Sequence, residues 1–248
     1  MEWIGREAVM RRLLVGVLAM MAAASHQGVR ADQCPDVLAN AAQLILVTPM
    51  GADQANAIAE TFVRSAHGQA WRPVGGMRSA VVGLKGVAWG AGFRHFAMPG
   101  EPLKQEGDKR SPMGIYAMGP TFGFEEADYP GHLKLQTDQH ICVEEPGAVN
   151  YGRIVPRGEV GEGVKFDQMR SEQLYRKGLV VNYPADSANK AGSCIFVHVW
   201  RQPGKGTAGC VALDEADVAD LQAWASAAPT AIAILTAEAR ARFTSCLP

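Results

Sequence analysis

The sequence predicts a mainly β fold, a sandwich or barrel with a few short helices. Three observations carry this expectation. Short runs rich in β-branched residues recur along the chain, each ended by Gly or Pro. Only one segment carries a full helical stripe of apolar residues. The 248 residues include 27 Gly and 14 Pro, a turn-rich composition, with 48% hydrophobic and 20% charged residues. The formal net charge is −1, and no basic stripe or aromatic-basic interleaving is present, so nucleic acid is not an expected partner.

The first segment reads as a targeting sequence. Arg11-Arg12 precede an apolar run, Leu13 to Ala24, that is too short to span a bilayer and fits a signal-peptide core. Val29-Arg30-Ala31 reads as a small-residue cleavage site, and Met10 offers an alternative start to Met1. Residues 1–31 are therefore expected to be removed, and residues 32–248 to form a single exported domain with no stable membrane insertion.

The remaining elements follow in order. Gln43–Pro49 is a strand closed by Pro-Met-Gly. The alanine-rich stretch 52–65 fits helix and strand equally. Ala70–Val74 and Ser79–Leu84 look like two short strands, and Gly86–Gly90 continues their glycine-broken pattern. Lys104–Pro112 is a polar loop, Met113–Met118 a strand, and Thr121–His132 an extended loop. Ile141–Val143 and Asn150–Val155 suggest further strands. Met169, Leu174 and Tyr175 suggest a short helix over 168–177. Gly178–Tyr183 is a strand. Ser193–Trp200 is the strongest strand, with Cys194, Phe196, His198 and Trp200 on one face. Asp214 caps a helix whose stripe is Val218, Leu221 and Trp224-Ala225, and Ala231–Leu235 is the last strand.

Five cysteines, Cys34, Cys142, Cys194, Cys210 and Cys246, lie beyond the expected cleavage site. An odd count leaves one thiol unpaired or intermolecular. Cys34 and Cys246 sit near the two mature ends, and Cys142 and Cys194 lie in or beside strand-like runs. Pairing within each couple would leave Cys210 free, although the sequence alone permits other pairings.

The segment His198–Cys210 is the most informative. A strand ends in a histidine, a Gly/Pro-rich turn follows, and Thr207-Ala208-Gly209-Cys210 leads toward the capped helix. Such an arrangement brings a strand-borne base to a loop-borne thiol, which becomes a strong nucleophile once deprotonated. Gly209, without a Cβ, lets a carbonyl approach the backbone N–H groups of an oxyanion hole. In isolation, a buried packing cysteine and a satisfied strand histidine would be the commoner readings.

His198, Thr207, Gly209 and Cys210 match the motif of a known family: the chain resembles the L,D-transpeptidase (YkuD-like) catalytic domain. Further blocks carry the likeness in the same order: Gly107-Asp-Lys-Arg-Ser-Pro-Met-Gly114, Cys142-Val-Glu-Glu-Pro146, Asn150-Tyr-Gly-Arg-Ile-Val155 and Gly192-Ser-Cys-Ile-Phe196. Three departures stand out. Ala208 replaces the usual second histidine, Val211-Ala212 occupy positions where many members carry an arginine, and the gap from His198 to Cys210 is short.

The resemblance implies a periplasmic enzyme acting on peptidoglycan stem peptides through a cysteine thioester, with no cofactor and no metal. Cys210 would be the nucleophile, His198 the base, and Gly209 part of the oxyanion hole. The short motif belongs to a branch associated with L-alanine-to-diaminopimelate (1-3) cross-links, whereas better-known members make 3-3 cross-links. An L,D-carboxypeptidase, a non-catalytic wall-binding module and a general cysteine peptidase are the rival readings. Arg201, Thr207 and Tyr151 are the candidate substrate contacts. Arg201 has a guanidinium suited to a carboxylate. Tyr151 and Tyr183 fit a core position equally well. Lys109, Arg110 and Lys205 read as solvated loop charges. His95, His132 and His140 lack metal-ligand spacing. A monomer is expected.

Overall fold

Short, largely buried apolar strands build the core of this protein, and eight of them form a sheet that closes on itself. The computed structural model describes residues 34–248. The expected signal peptide, residues 1–31, lies outside the described residues.

The elements run α1 (Asp36–Asn40), β1 (Gln43–Pro49), β2 (Asn56–Val63), β3 (Arg72–Val81), β4 (Val87–Trp89), β5 (Ser111–Gly123), β6 (Leu133–Lys134), β7 (His140–Val143), β8 (Ile154–Pro156), β9 (Phe166–Gln168), β10 (Lys177–Val181), β11 (Phe196–Val199), β12 (Val211–Leu213), α2 (Glu215–Ala225), β13 (Thr230–Ile234) and α3 (Ala237–Arg240). The main sheet has the order β10-β11-β12-β3-β2-β1-β13-β5-β4, with β6 also on β5, and β10 pairs again with β5. That second pairing closes a barrel, which removes both exposed edges of the sheet. β7, β8 and β9 form a separate three-stranded sheet inserted between β6 and β10. The expected mainly β class is therefore observed.

Several local outcomes differ from the sequence expectation, each for a physical reason. Residues 56–63 are strand. Ala57, Ala59 and Thr61 point into the protein at period two, and β1 and β3 flank them on both sides. Pairing partners thus override the weak β propensity of alanine. The two short strands expected at 70–84 are one strand, β3, whose register against β2 shifts between Ala59 and Thr61, near Gly75 at φ +72°. β5 runs 13 residues, beyond both ends of the expected strand and into the first three residues of the loop expected at Thr121–His132, because residues 114–117 pair with β13 and residues 118–123 with β10. β9 was not anticipated, and the expected helix over 168–177 is a single 3-10 turn, Gln173–Arg176.

α2 follows its sequence closely. The Asp214 carboxylate accepts from the Ala216 N–H, and Val218 and Leu221 are buried against the barrel. Gln222, not foreseen, is buried beside them and donates to the carbonyls of Phe122 and Gly178. It satisfies two backbone acceptors where β5 and β10 meet. Cys34–Cys246 and Cys142–Cys194 are disulfides, and Cys210 is the free thiol.

The faces of β11 divide the interior. Val197 and Val199 join the main core inside the barrel, whereas Phe196 belongs to a second cluster with Cys142, Cys194, Cys210, Phe122 and Tyr175. This second cluster is the floor beneath the candidate site.

Candidate active site

β11 and β12 are parallel neighbours in register Val197↔Val211, His198↔Ala212. Cys210 immediately precedes β12, so it shares a face with Ala212, two residues on. Ala212 lies opposite His198. The pairing therefore sets Cys210 and His198 on one face of adjacent strands, and both line the same cavity. Both are buried, His198 at 4% and Cys210 at 7% exposure.

The loop between them is fixed at its far end. The Thr207 N–H donates to the Val82 carbonyl, and the Thr207 carbonyl accepts from the Leu84 N–H. Gly206 makes this crossing feasible, since a Cβ there would stand 2.5 Å from the Leu84 Cα. Thr207 Oγ1 accepts from the Gly209 N–H at 3.1 Å and donates to the Cys210 carbonyl at 2.6 Å. The same carbonyl accepts from Ser111 Oγ at 2.9 Å. Thr207 thus shapes the turn that presents the cysteine, and the Gly209 amide is engaged within that turn. Gly209 itself lies close to neighbouring backbone, as a Cβ would stand 3.3 Å from the Arg110 carbonyl oxygen.

His198 Nδ1 lies 2.8 Å from the Val199 carbonyl oxygen. A carbonyl only accepts, so Nδ1 carries the hydrogen and Nε2 is left with a lone pair. No carboxylate orients this imidazole; a backbone carbonyl does. Burial pulls the imidazole down to about 4, against which the Val199 hydrogen bond works. The Cys210 thiol donates to the Cys194 carbonyl, with Sγ 3.3 Å from the oxygen. Burial pushes this thiol up to about 12; the Phe196 backbone N–H and Lys104 pull it down, and Asp167 and Glu144 push it up. At neutral pH the resting pair is therefore a thiol beside a neutral imidazole.

Two cavities meet at Cys210. One, of about 240 Å³, is lined by His198, Trp200, Arg201 and Lys205. The other, of about 190 Å³, is lined by Lys104, Glu106, Glu144 and Lys165. Asp167, Tyr175, Ala208 and Cys210 belong to both. The second cavity carries both signs of charge. Lys104 is buried and paired with Asp108 at 2.6 Å, and Lys165 faces Glu144 at 3.4 Å.

The remaining sequence candidates divide. Arg201 lines the first cavity and pairs with Glu172 at 2.9 Å, both largely exposed. Tyr151 lines neither cavity. It is buried, and its hydroxyl donates to Glu106, which also accepts from Ser193 Oγ at 2.7 Å. Tyr183 donates to the Ala191 carbonyl and accepts from the Ala91 N–H. Lys109 lines the second cavity, whereas Arg110 pairs with Asp53. Sequence reasoning missed Lys104, Asp167 and Tyr175. Lys104 sat in what read as a polar loop, and no spacing rule connects Asp167 or Tyr175 with Cys210. Among the described residues, no group of three or more His, Cys, Asp or Glu is placed to hold a metal, and no helix is long and apolar enough to cross a membrane.

Comparison with curated proteins gives no match. Among solved structures, Bd1075 of Bdellovibrio bacteriovorus aligns with TM-score 0.41 and 16% identity, over 83% of this chain and 54% of that one. The helical cell shape determining protein Pgp2 of Campylobacter jejuni aligns with TM-score 0.40 and 13% identity, over 82% of this chain and 52% of that one. The chain thus spans about half the length of these solved proteins. Residues 69–234, which hold the barrel strands from β3 to β13 and the whole His198–Cys210 segment, match the family model of the L,D-transpeptidase catalytic domain, so this chain belongs to the YkuD family.

Proposed function

We propose that this protein is a peptidoglycan L,D-transpeptidase that cross-links stem peptides in the periplasm, after removal of residues 1–31. The observation that carries the reading is a free thiol and an imidazole set on one face of the paired strands β11 and β12 and lining one cavity, the Nδ1 hydrogen committed to Val199. Nε2 takes the Cys210 proton as Sγ attacks the donor carbonyl between an L- and a D-centre. The tetrahedral oxyanion is held by the backbone N–H of Cys210. The Gly209 N–H, donated to Thr207 Oγ1 at rest, joins it by exchanging that bond. The C–N bond breaks, the leaving amine takes the proton from Nε2, and a thioester remains. An acceptor amine then attacks the thioester carbonyl, gives its proton to Nε2, and releases Sγ, which recovers its hydrogen.

Two cavities meeting at one sulfur suit a donor and an acceptor that must both reach the thioester. The mixed charges of the second cavity suit a centre bearing both an amine and a carboxylate, such as the end of diaminopimelate. The reading includes the 1-3 linkage, in keeping with the short motif, with 3-3 as the other outcome. Arg201 is the proposed contact for a stem carboxylate, freed from Glu172 on binding.

Mass spectrometry of muropeptides tests this, using residues 32–248 incubated with intact sacculi beside a Cys210→Ala control. New dimers absent from the control are expected, and fragmentation assigns the donor centre. Shortened stems without dimers would make the protein an L,D-carboxypeptidase. Identical products from both folded proteins would leave a wall-binding module.

A further inference from the structure

Tyr175 makes a ring contact with His198 and lines both cavities at Cys210. Its ring stands edge-to-face with the imidazole, centroids 5.4 Å apart and planes at 82°. It is 8% exposed, and its hydroxyl donates to Asp167 Oδ2 at 2.6 Å. Asp167 lies on β9 directly opposite Cys142 of β7. Cys142 is bridged to Cys194, whose carbonyl accepts the Cys210 thiol. The contacts thus run in one circuit from the nucleophile through the inserted sheet to the base.

This circuit gives His198 something its own strand does not. The Val199 carbonyl holds one ring nitrogen only, and a single hydrogen bond leaves the imidazole free to turn over about its χ2 axis. Turned over, it would put Cδ2 where Nδ1 stood and Cε1 where Nε2 stood, giving up the Val199 bond that fixes the Nδ1–H tautomer and losing the base toward Cys210. A ring packed at right angles against the imidazole, with its own hydroxyl fixed by a carboxylate, blocks that rotation. We propose that Tyr175, anchored by Asp167, is a positioning residue that locks His198 in the orientation with Nε2 toward Cys210. The proposal rests on His198 acting as the base. It adds that, beside the Val199 carbonyl, a second orienting group comes from the 3-10 turn and the inserted sheet.

The test is nitrogen NMR of the His198 imidazole, in the intact mature protein and in Tyr175→Phe and Tyr175→Leu variants. Phe differs from Tyr by one oxygen atom and preserves packing, so it remains informative should the Leu variant unfold. The wild type is expected to show one tautomer, with Nδ1 protonated. The Phe variant should show a measurable share of the other tautomer, and iodoacetamide should alkylate its Cys210 roughly tenfold more slowly, since small misplacement of a reacting group has effects of this order. On stem-peptide substrates kcat should fall with KM nearly unchanged. A single Nδ1–H tautomer and wild-type alkylation in the Phe variant would overturn the proposal and make Tyr175 a packing residue. Failure of the wild type to form cross-links would count against the proposed function alone, because the tautomer and alkylation comparisons need no substrate.

Discussion

The Cys210 thiol donates to the carbonyl of Cys194, and Cys194 is itself bridged to Cys142 of the inserted sheet. Cys194 has a left-handed backbone, φ +54°, which a non-glycine residue adopts only where its surroundings hold it. The disulfide is one of those holds. Serine at both Cys142 and Cys194 should leave the barrel folded but free the carbonyl. We expect a stability loss of about 2–4 kcal/mol in urea denaturation, from the loop-closure entropy restored to the unfolded chain. Cross-linking activity should fall more than tenfold at temperatures where the variant stays folded. Wild-type activity in this variant would show that the carbonyl needs no bridge to hold it.

The resting protonation states predict a particular pH profile. With His198 near 4 and Cys210 near 12, both groups are neutral between those values. The rate of Cys210 alkylation by iodoacetamide should climb across pH 5 to 9 without a plateau. An alkylation curve already saturated at pH 6 would reveal a resting thiolate–imidazolium pair and contradict the burial argument.

Thr207 makes two hydrogen bonds that shape the cysteine turn. Thr207→Val keeps the shape of the side chain and loses both, costing about 1–3 kcal/mol, whereas Thr207→Ser keeps the hydroxyl. The valine variant should lose at least tenfold in kcat and the serine variant little. A larger loss in the serine variant than in the valine variant would point to the methyl group instead.

Stability should fall with acid in two windows. The His198 imidazole is depressed by burial, so the unfolded chain takes up a proton between about pH 6.5 and 4 that the folded protein refuses, and stability drops as pH falls through that range. Glu101 is held down to about 2, first by its hydrogen bonds with Arg242, against burial. Its contribution is present above about pH 4.5 and is lost as pH falls toward 2. Glu144, raised by burial, acts in the opposite direction. Urea midpoints from pH 7 to 2.5 should therefore flatten below pH 4 in Glu101→Gln. An unchanged slope there would remove Glu101 from the acid response.

The sequence made period-two features legible and long-range ones illegible. His198 and the two faces of β11 could be read because alternation alone decides them, and β1 and α2 were marked by Pro49 and Asp214 at their ends. Residues 56–63 could not be assigned because alanine suits helix and strand, and only pairing with β1 and β3 decides. Thr207 and Gly209 stood out by their place beside Cys210. Tyr175 and Asp167 did not, because their relation to His198 depends on how the inserted sheet folds back, a contact with no local signature. Lys104 read only as the start of a polar loop, since a buried lysine is recognisable only once Asp108 is seen beside it.

The Cys34–Cys246 bridge joins residues 212 positions apart, with Cα atoms 5.4 Å from each other. A pull applied to the two ends is carried by that single covalent bond. The barrel between them is a closed loop bearing no tension. In an oxidised molecule, mechanical load from either side passes across the protein without reaching the strands that hold Cys210 and His198.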